Sequence, residues 1–318
     1  MTQATTNNNT KLLVLAYLAV FIGTIGHASS EFFSVFSGLQ GPEVSVWRFV
    51  MGSVGLLLAC ALIPSARDLI SPLREDGKRL FLLGGLGMAM AQLVFHWSLD
   101  FATIVQVATM VTTMPILVVL INWLFLKSPI TAPKIISGLG AVAGIAFLLT
   151  DGYLARLAGS GDNLKGVLLA LCSALIGATY IVMVRPIIVK WGAIRVTTLV
   201  FSLGAITLWI VVGLAWEIWV NPLTLFDREP KAWSSILALG FWNTTIAMVI
   251  FFWGLSVVPD QGRANYIFFL KPVIAACLGY FIMRQDITGA QIIAIIVITA
   301  CVVVEIFWDQ IRAVRKRV

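Results

Sequence analysis

The chain has 318 residues, of which 59% are hydrophobic and 12% charged, with a mean hydropathy of +0.96. Soluble domains carry about 25% charged residues, so this composition excludes a water-soluble globular protein. The net charge of +7 is then to be explained at a membrane before nucleic acid is invoked.

The N-terminal MTQATTNNNT is polar and uncharged. The apolar run after Lys11 is too long for a signal h-region and no small-residue cleavage site follows, so it is expected to be a retained first span. Apolar runs predict spans near 11–35, 44–64, 80–99, 103–126, 132–151, 164–185, 195–217, 232–257, 262–283 and 288–308. Each is long enough, at about 1.5 Å per residue, to cross about 30 Å of hydrocarbon. The expected fold is an all-α membrane protein of ten transmembrane helices with short connections. Cys60, Cys172, Cys277 and Cys301 all fall inside apolar runs without C-x-x-C spacing, the pattern of buried structural thiols rather than of a metal site or disulfide.

Lys and Arg in the connections set the orientation. With the N-terminus in the cytoplasm, fifteen cations fall on the inner side and five on the outer side, leaving Arg48 and Lys271 within spans. Both termini are therefore expected to be cytoplasmic, in a multi-pass protein of the cell (inner) membrane, and this topology accounts for the basic balance.

One stretch is written twice. FHWSLDFATIVQVATMVTTMPILVVLINWLFLKSPIT (95–131) and FFWGLSVVPDQGRANYIFFLKPVIAACLGYFIMRQDIT (251–288) share an aromatic start, a proline in a long apolar run, a basic corner and Ile-Thr. Phe95, Trp97 and Leu99 match Phe251, Trp253 and Leu255. After a one-residue insertion Pro115 matches Pro272, Lys127 matches Arg284 and Thr131 matches Thr288. Ten spans thus divide into two five-helix repeats, 1–157 and 158–318, separated near ARLAGSGDNLKG (155–166). Five is odd, so the second repeat enters the membrane inverted. Inverted repeats are a building plan of secondary transporters, which place the substrate site near the midplane between the halves.

Buried polar side chains need partners in hydrocarbon, and helical spacing shows which of them share a face. On the first span His27, Ser30 or Glu31 and Ser34 recur; Met88, Gln92 and His96 form a stripe on the third; Gln106, Thr109 and Thr113 line the fourth; Ser173, Gly177 and Tyr180 line the sixth. The duplication places Thr244, Met248 and Phe252 of the eighth at the positions corresponding to Met88, Gln92 and His96, beside Trp242 and Asn243. Asn265, Phe268 or Phe269 and Pro272 follow one side of the ninth, which also holds Lys271. These stripes suit a shared central substrate cavity formed by His27, Ser30, Glu31, Gln92, His96, Gln106, Thr109, Tyr180, Trp242, Asn243, Asn265, Phe269 and Lys271, with Pro115 and Pro272 as hinges. Glu31 and His96 are expected near the outer ends of their spans. Asn243 and Asn265 are equally readable as interhelical hydrogen-bonding groups, and Trp242 and Phe269 as packing residues. Lys271 is expected to be the one cation deep in the bundle. Pro272 is expected to kink the helix and free the Phe268 carbonyl. Lys271 can then bind a substrate carboxylate, move with the kink, or pair with a distant carboxylate or carbonyl.

The ten short-looped spans, the duplication, the Pro–basic corner–Ile-Thr motif and VSVWRFVMGSVGLLLA (44–59), with its Arg48-Phe49 pair, resemble the drug/metabolite transporter superfamily, EamA type. The resemblance covers essentially the whole chain. FFLKPV (268–273) is similar to the YddG-like exporters of aromatic amino acids. The family often has Gly-Glu at the corner three residues before the Thr; this chain has Ser128 and Gln285 there, so a role for that Glu is absent.

The resemblance implies alternating-access export of small hydrophobic metabolites, foremost aromatic or neutral amino acids, with no cofactor, no bound metal and no nucleic acid. A bundle of this size can be complete as a monomer. The alternatives are a drug/metabolite or nucleotide-sugar-type antiporter or a lipid flippase of the same fold. A membrane-embedded enzyme is disfavoured by the lack of H-E-x-x-H, G-x-S-x-G, Walker A or paired intramembrane aspartates.

Overall fold

The computed structural model describes residues 2–102, 107, 110–150, 161–283 and 288–308. Among them the secondary structure is helical, without strands. The helices are α1 (Thr2–Phe36), α2 (Gly41–Leu62), α3 (Ile70–Leu80), α4 (Ala89–Ser98), α5 (Met114–Leu126), α6 (Ala132–Thr150), α7 (Gly161–Trp191), α8 (Ala193–Trp216), α9 (Pro230–Leu237), α10 (Val249–Val257), α11 (Gln261–Asn265), α12 (Lys271–Met283) and α13 (Gly289–Ile306).

Two π-helical segments join neighbouring α-helices into longer rods: Phe81–Met88 connects α3 to α4, and Ala238–Met248 connects α9 to α10. The resulting Ile70–Ser98 and Pro230–Val257 rods are long and apolar enough to cross a membrane, as are Thr10–Phe36, Gly41–Leu62, Leu164–Trp191, Ala193–Trp216 and Gly289–Ile306. Met114–Leu126 and Ala132–Phe147 are shorter apolar helices. The expected fourth and fifth spans and the 155–166 divider run partly into residues outside the described set. The expected ninth span is broken: α11 passes into a 3-10 turn, Tyr266–Leu270, before α12 begins at Lys271-Pro272.

Local chemistry explains several ends. Asp260 accepts from the Arg263 N–H at 2.9 Å and starts α11, as a carboxylate N-cap satisfies an orphan donor. Thr288 and Gln291 form a reciprocal capping box at the start of α13. Lys127 and Glu217 close α5 and α8 with positive φ values of 53° and 59°.

The most extensive interfaces pair α1 with α10 and its π segment, α4 with α7, α2 with α8, and α6 with α13. Leu124 and Phe125 of α5, Leu214 of α8 and Ile293 and Ile296 of α13 point outward. Such an apolar exterior is disfavoured in water and suited to lipid. Close approach depends on small residues. A Cβ on Gly26 would lie 2.1 Å from the Ala247 Cβ, and one on Gly240 would lie 2.4 Å from the Met51 Cβ. Glycine at such contacts lets membrane helices pack backbone to backbone.

Candidate functional site

A narrow cavity of about 50 Å3 lies inside the bundle. His27 and Ser30 enter it from α1, Arg48 from α2, Gln92 and Phe95 from α4, and Ser173, Gly177 and Tyr180 from α7. Met114 of α5 and Lys271 of α12 occupy matching places, each immediately before a proline, and both line the cavity. Phe251 and Phe252 of α10 and Phe268 of the 3-10 turn complete an aromatic wall with Phe95.

The π segment before α10 sets the position of one cation. The Thr244 hydroxyl donates to the Leu239 carbonyl five residues earlier at 2.9 Å, a reach that suits the wider π turn. Its oxygen then accepts from Arg48 Nε at 3.2 Å, and Arg48 Nη1 donates to Gln92 Oε1 at 2.9 Å. Arg48 is 1% exposed. Its Nη2 has no hydrogen-bond partner. A guanidinium fixed at two nitrogens, with the third buried and unpartnered, keeps donors for an anion contact.

The other cation is already compensated. Lys271 Nζ donates to Glu31 Oε1 at 2.6 Å, with both side chains buried. Its ammonium also lies 5.6 Å from the Phe95 ring centroid and 5.7 Å from that of Phe268, within cation–π range. The pair ties α1 to α12. Of the three readings open for Lys271 in the sequence, pairing with a carboxylate is the contact observed. The Phe268 carbonyl is not freed for the ammonium, because it accepts the Lys271 backbone N–H.

Two histidines border this region. His27 packs edge-on against Phe251 and Phe268, with centroids 5.1 and 5.3 Å away, and its Nε2 has no partner. His96 Nδ1 lies 2.8 Å from Ser45 Oγ. His96 and Glu31 fall near the ends of Ile70–Ser98 and Thr10–Phe36 and are 0% and 6% exposed, covered by neighbouring helices. The Tyr180 ring packs against Phe252 at 5.5 Å and its hydroxyl is unpartnered.

The structure thus brings His27, Ser30, Gln92, Tyr180 and Lys271 to the cavity wall, with Glu31 behind Lys271. The other expected residues are elsewhere. Asn243 donates to the Gly26 carbonyl and to Ser29, and Trp242 Nε1 donates to Ser29 at 3.0 Å, so both fasten the eighth span to α1. Phe269 packs beside Tyr266 in a separate apolar cluster with Val119, Ala141 and Ile298. Asn265 is fully buried with both amide atoms unpartnered, and it is not on the cavity wall. Gln106 and Thr109 lie outside the described residues. Pro115 and Pro272 sit near the starts of α5 and α12, where a missing N–H costs no helical bond.

Arg48 is the cavity residue that sequence reasoning missed. Its place near the start of the second span points to a span end, and the expectation of a single deep cation is corrected to two. Its signal was present: an arginine ringed by apolar residues must have buried partners.

The profile of the EamA-like transporter family matches residues 9–150 and again residues 164–306. An uncharacterized transporter of Clostridium kluyveri is 22% identical over 256 residues, 78% of this chain and 80% of that protein. An uncharacterized transporter of Archaeoglobus fulgidus is 20% identical over 214 residues, 67% of this chain and 72% of that protein. Protein PecM of Dickeya dadantii is 23% identical over 231 residues, 71% of this chain and 72% of PecM. A solved crystal structure superposes with a TM-score of 0.72 at 19% identity, over 91% of this chain and 95% of that one, a likeness of fold. The chain is a multi-pass membrane protein and belongs to the EamA-like transporter family of the drug/metabolite transporter type.

Proposed function

We propose that this transporter exports small hydrophobic metabolites, foremost aromatic or neutral amino acids, by alternating access through the cavity between two inverted five-helix repeats, 1–157 and 158–318. The observation that carries the reading is the cavity wall itself. Four phenylalanines and Tyr180 share the cavity lining with a fixed guanidinium whose third nitrogen is unpartnered. A ring-bearing carboxylate fits that combination of stacking surface and anion donor.

Pseudo-symmetry supports the repeat. The family profile matches twice. The two π segments fall at corresponding places, 81–88 and 238–248. The contact of α1 with the eighth span is mirrored by that of α7 with α4, while α2 with α8 and α6 with α13 are self-matching pairs. With both termini cytoplasmic, the two halves exchange roles as the cavity opens to one side and then the other.

The test is flux of radiolabelled phenylalanine or tryptophan into liposomes holding the purified protein, without and then with an imposed pH gradient. Saturable flux without the gradient is the expected result for a facilitator, and flux only with it identifies a proton-coupled exporter. Absence of flux in both conditions, with folded protein, removes the amino-acid assignment.

A further inference from the structure

We propose that Arg48, not Lys271, is the anion anchor of the cavity, and that the site recognises an aryl carboxylate without requiring an ammonium group. This deepens the reading of the cavity as the substrate site and rests on it.

The inference comes from a charge inventory of the wall. Lys271 is matched by Glu31 at 2.6 Å, so this pair presents no net charge to a solute. Arg48 is held by neutral partners, Thr244 and Gln92, and no carboxylate lies within ion-pair distance of it among the described residues. Two cations and one carboxylate leave a net charge of +1. Three residues lining the space carry a buried polar atom without a partner: Arg48 at Nη2, His27 at Nε2 and Tyr180 at its hydroxyl.

An unpaired buried charge is costly. A carboxylate arriving at Nη2 removes that cost while gaining a charge-assisted hydrogen bond. An ammonium group meets the opposite conditions. Its donors need an acceptor, and ionised ones are the strong partners. Among the described residues no carboxylate lines the cavity, and Glu31 is already engaged by Lys271. The Gln92 oxygen is occupied by Arg48, and the Ser30 and Ser173 hydroxyls already donate to the His27 and Ala91 carbonyls. Only neutral acceptors remain, the hydroxyl oxygens and an imidazole nitrogen of His27. The α-amino group of an amino acid is therefore tolerated in this cavity, whereas its carboxylate and ring supply the recognition.

Isothermal titration of the full chain in lipid nanodiscs at neutral pH, with 3-phenylpropionate, phenylalanine and phenethylamine, tests this. The expected order places 3-phenylpropionate at least level with phenylalanine, and phenethylamine weakest. Arg48→Gln is expected to weaken the two carboxylates by about 10- to 100-fold, the loss of one charge-assisted bond, and to leave phenethylamine unchanged. Should that variant not fold, Arg48→Lys keeps the charge but loses the fork, and the same selective weakening is expected. Binding of phenylalanine without 3-phenylpropionate, or phenethylamine tightest of the three, overturns the inference and leaves amino-acid export standing. Binding of 3-phenylpropionate with neither binding nor flux of phenylalanine upholds the inference and overturns amino-acid export. No binding by any of the three overturns both.

Discussion

Lys271 and Glu31 meet at 2.6 Å although 240 residues separate them in sequence. Their desolvation is repaid only while both are present, so removing one partner is far costlier than replacing both. Lys271→Met, which copies Met114 of the other half, is expected to destabilise the protein by about 3–5 kcal/mol because it strands a buried carboxylate. The double variant Lys271→Met with Glu31→Gln is expected to recover most of that loss, as read by thermal unfolding in detergent; equal losses in the single and double variants would remove the pairing from the account. Outside the spans, burial pushes the Asp260 carboxyl up, but its hydrogen bonds to Lys134 and to the Arg263 N–H, with the two nearby cations, hold it below the usual value. A depressed carboxylate stabilises the fold above its unfolded pKa, about 4, and loses that contribution as pH falls through the lower folded value. The wild-type melting temperature should therefore drop below about pH 4, while Asp260→Asn starts lower at neutral pH and responds less to acid. A steeper acid response in Asp260→Asn would contradict this. The sequence showed Lys271 as an anomaly because a lysine nine residues inside an apolar run cannot easily snorkel. It did not show Glu31 as the partner, because helical spacing relates residues within one span and says nothing about which spans touch.

Seven of the expected spans were readable for a simple reason: hydrocarbon thickness sets a length, and apolar runs record it. Their interiors were less so. The π segment at Phe81–Met88 sits in uniformly apolar sequence, where a shift from four- to five-residue hydrogen bonding changes no polar pattern. In the π segment at Ala238–Met248 the polar run Asn243, Thr244 and Thr245 is too short to show a period. Yet one of them aims Thr244 at Arg48, so part of the site was hidden with it. Asn243 and Trp242 illustrate the converse. Their chemistry marked them as costly to leave unpaired, but the partner proved to be the neighbouring α1 rather than a cavity. At this scale the packing of α1 on the eighth span depends on missing side chains. Gly26→Ala would drive a Cβ to within 2.1 Å of the Ala247 Cβ, an overpacking expected to cost about 1–3 kcal/mol. Ala247→Gly introduced alongside it should restore most of the melting temperature, since it removes the clashing atom. No rescue would mean that the two helices are not held at this contact.

Across the whole molecule, the family profile matches two stretches, 9–150 and 164–306, and their chemistry differs. Met114 and Lys271 stand at matching places on the cavity wall, and only the second half put a charge there. Arg48 comes from the first half and is fastened by Thr244 from the second. Arg48 is thus held by a contact between the two stretches. That arrangement places the central claim in a single cavity, and filling the cavity tests it. Gly177 lines the space, and a Cβ there would lie 3.0 Å from the flexible end of Met114, so Gly177→Phe projects a ring into the cavity with little backbone strain. Leu175, half exposed on the outer face of the same helix, provides Leu175→Phe as a control. The deciding measurement is the initial rate of radiolabelled phenylalanine entry into liposomes carrying each folded protein. The account predicts saturable flux for the wild type and Leu175→Phe and at least a tenfold loss, roughly the effect of blocking a well-filled site, for Gly177→Phe. Undiminished flux through Gly177→Phe would contradict it, because the solute would then be crossing somewhere other than this cavity.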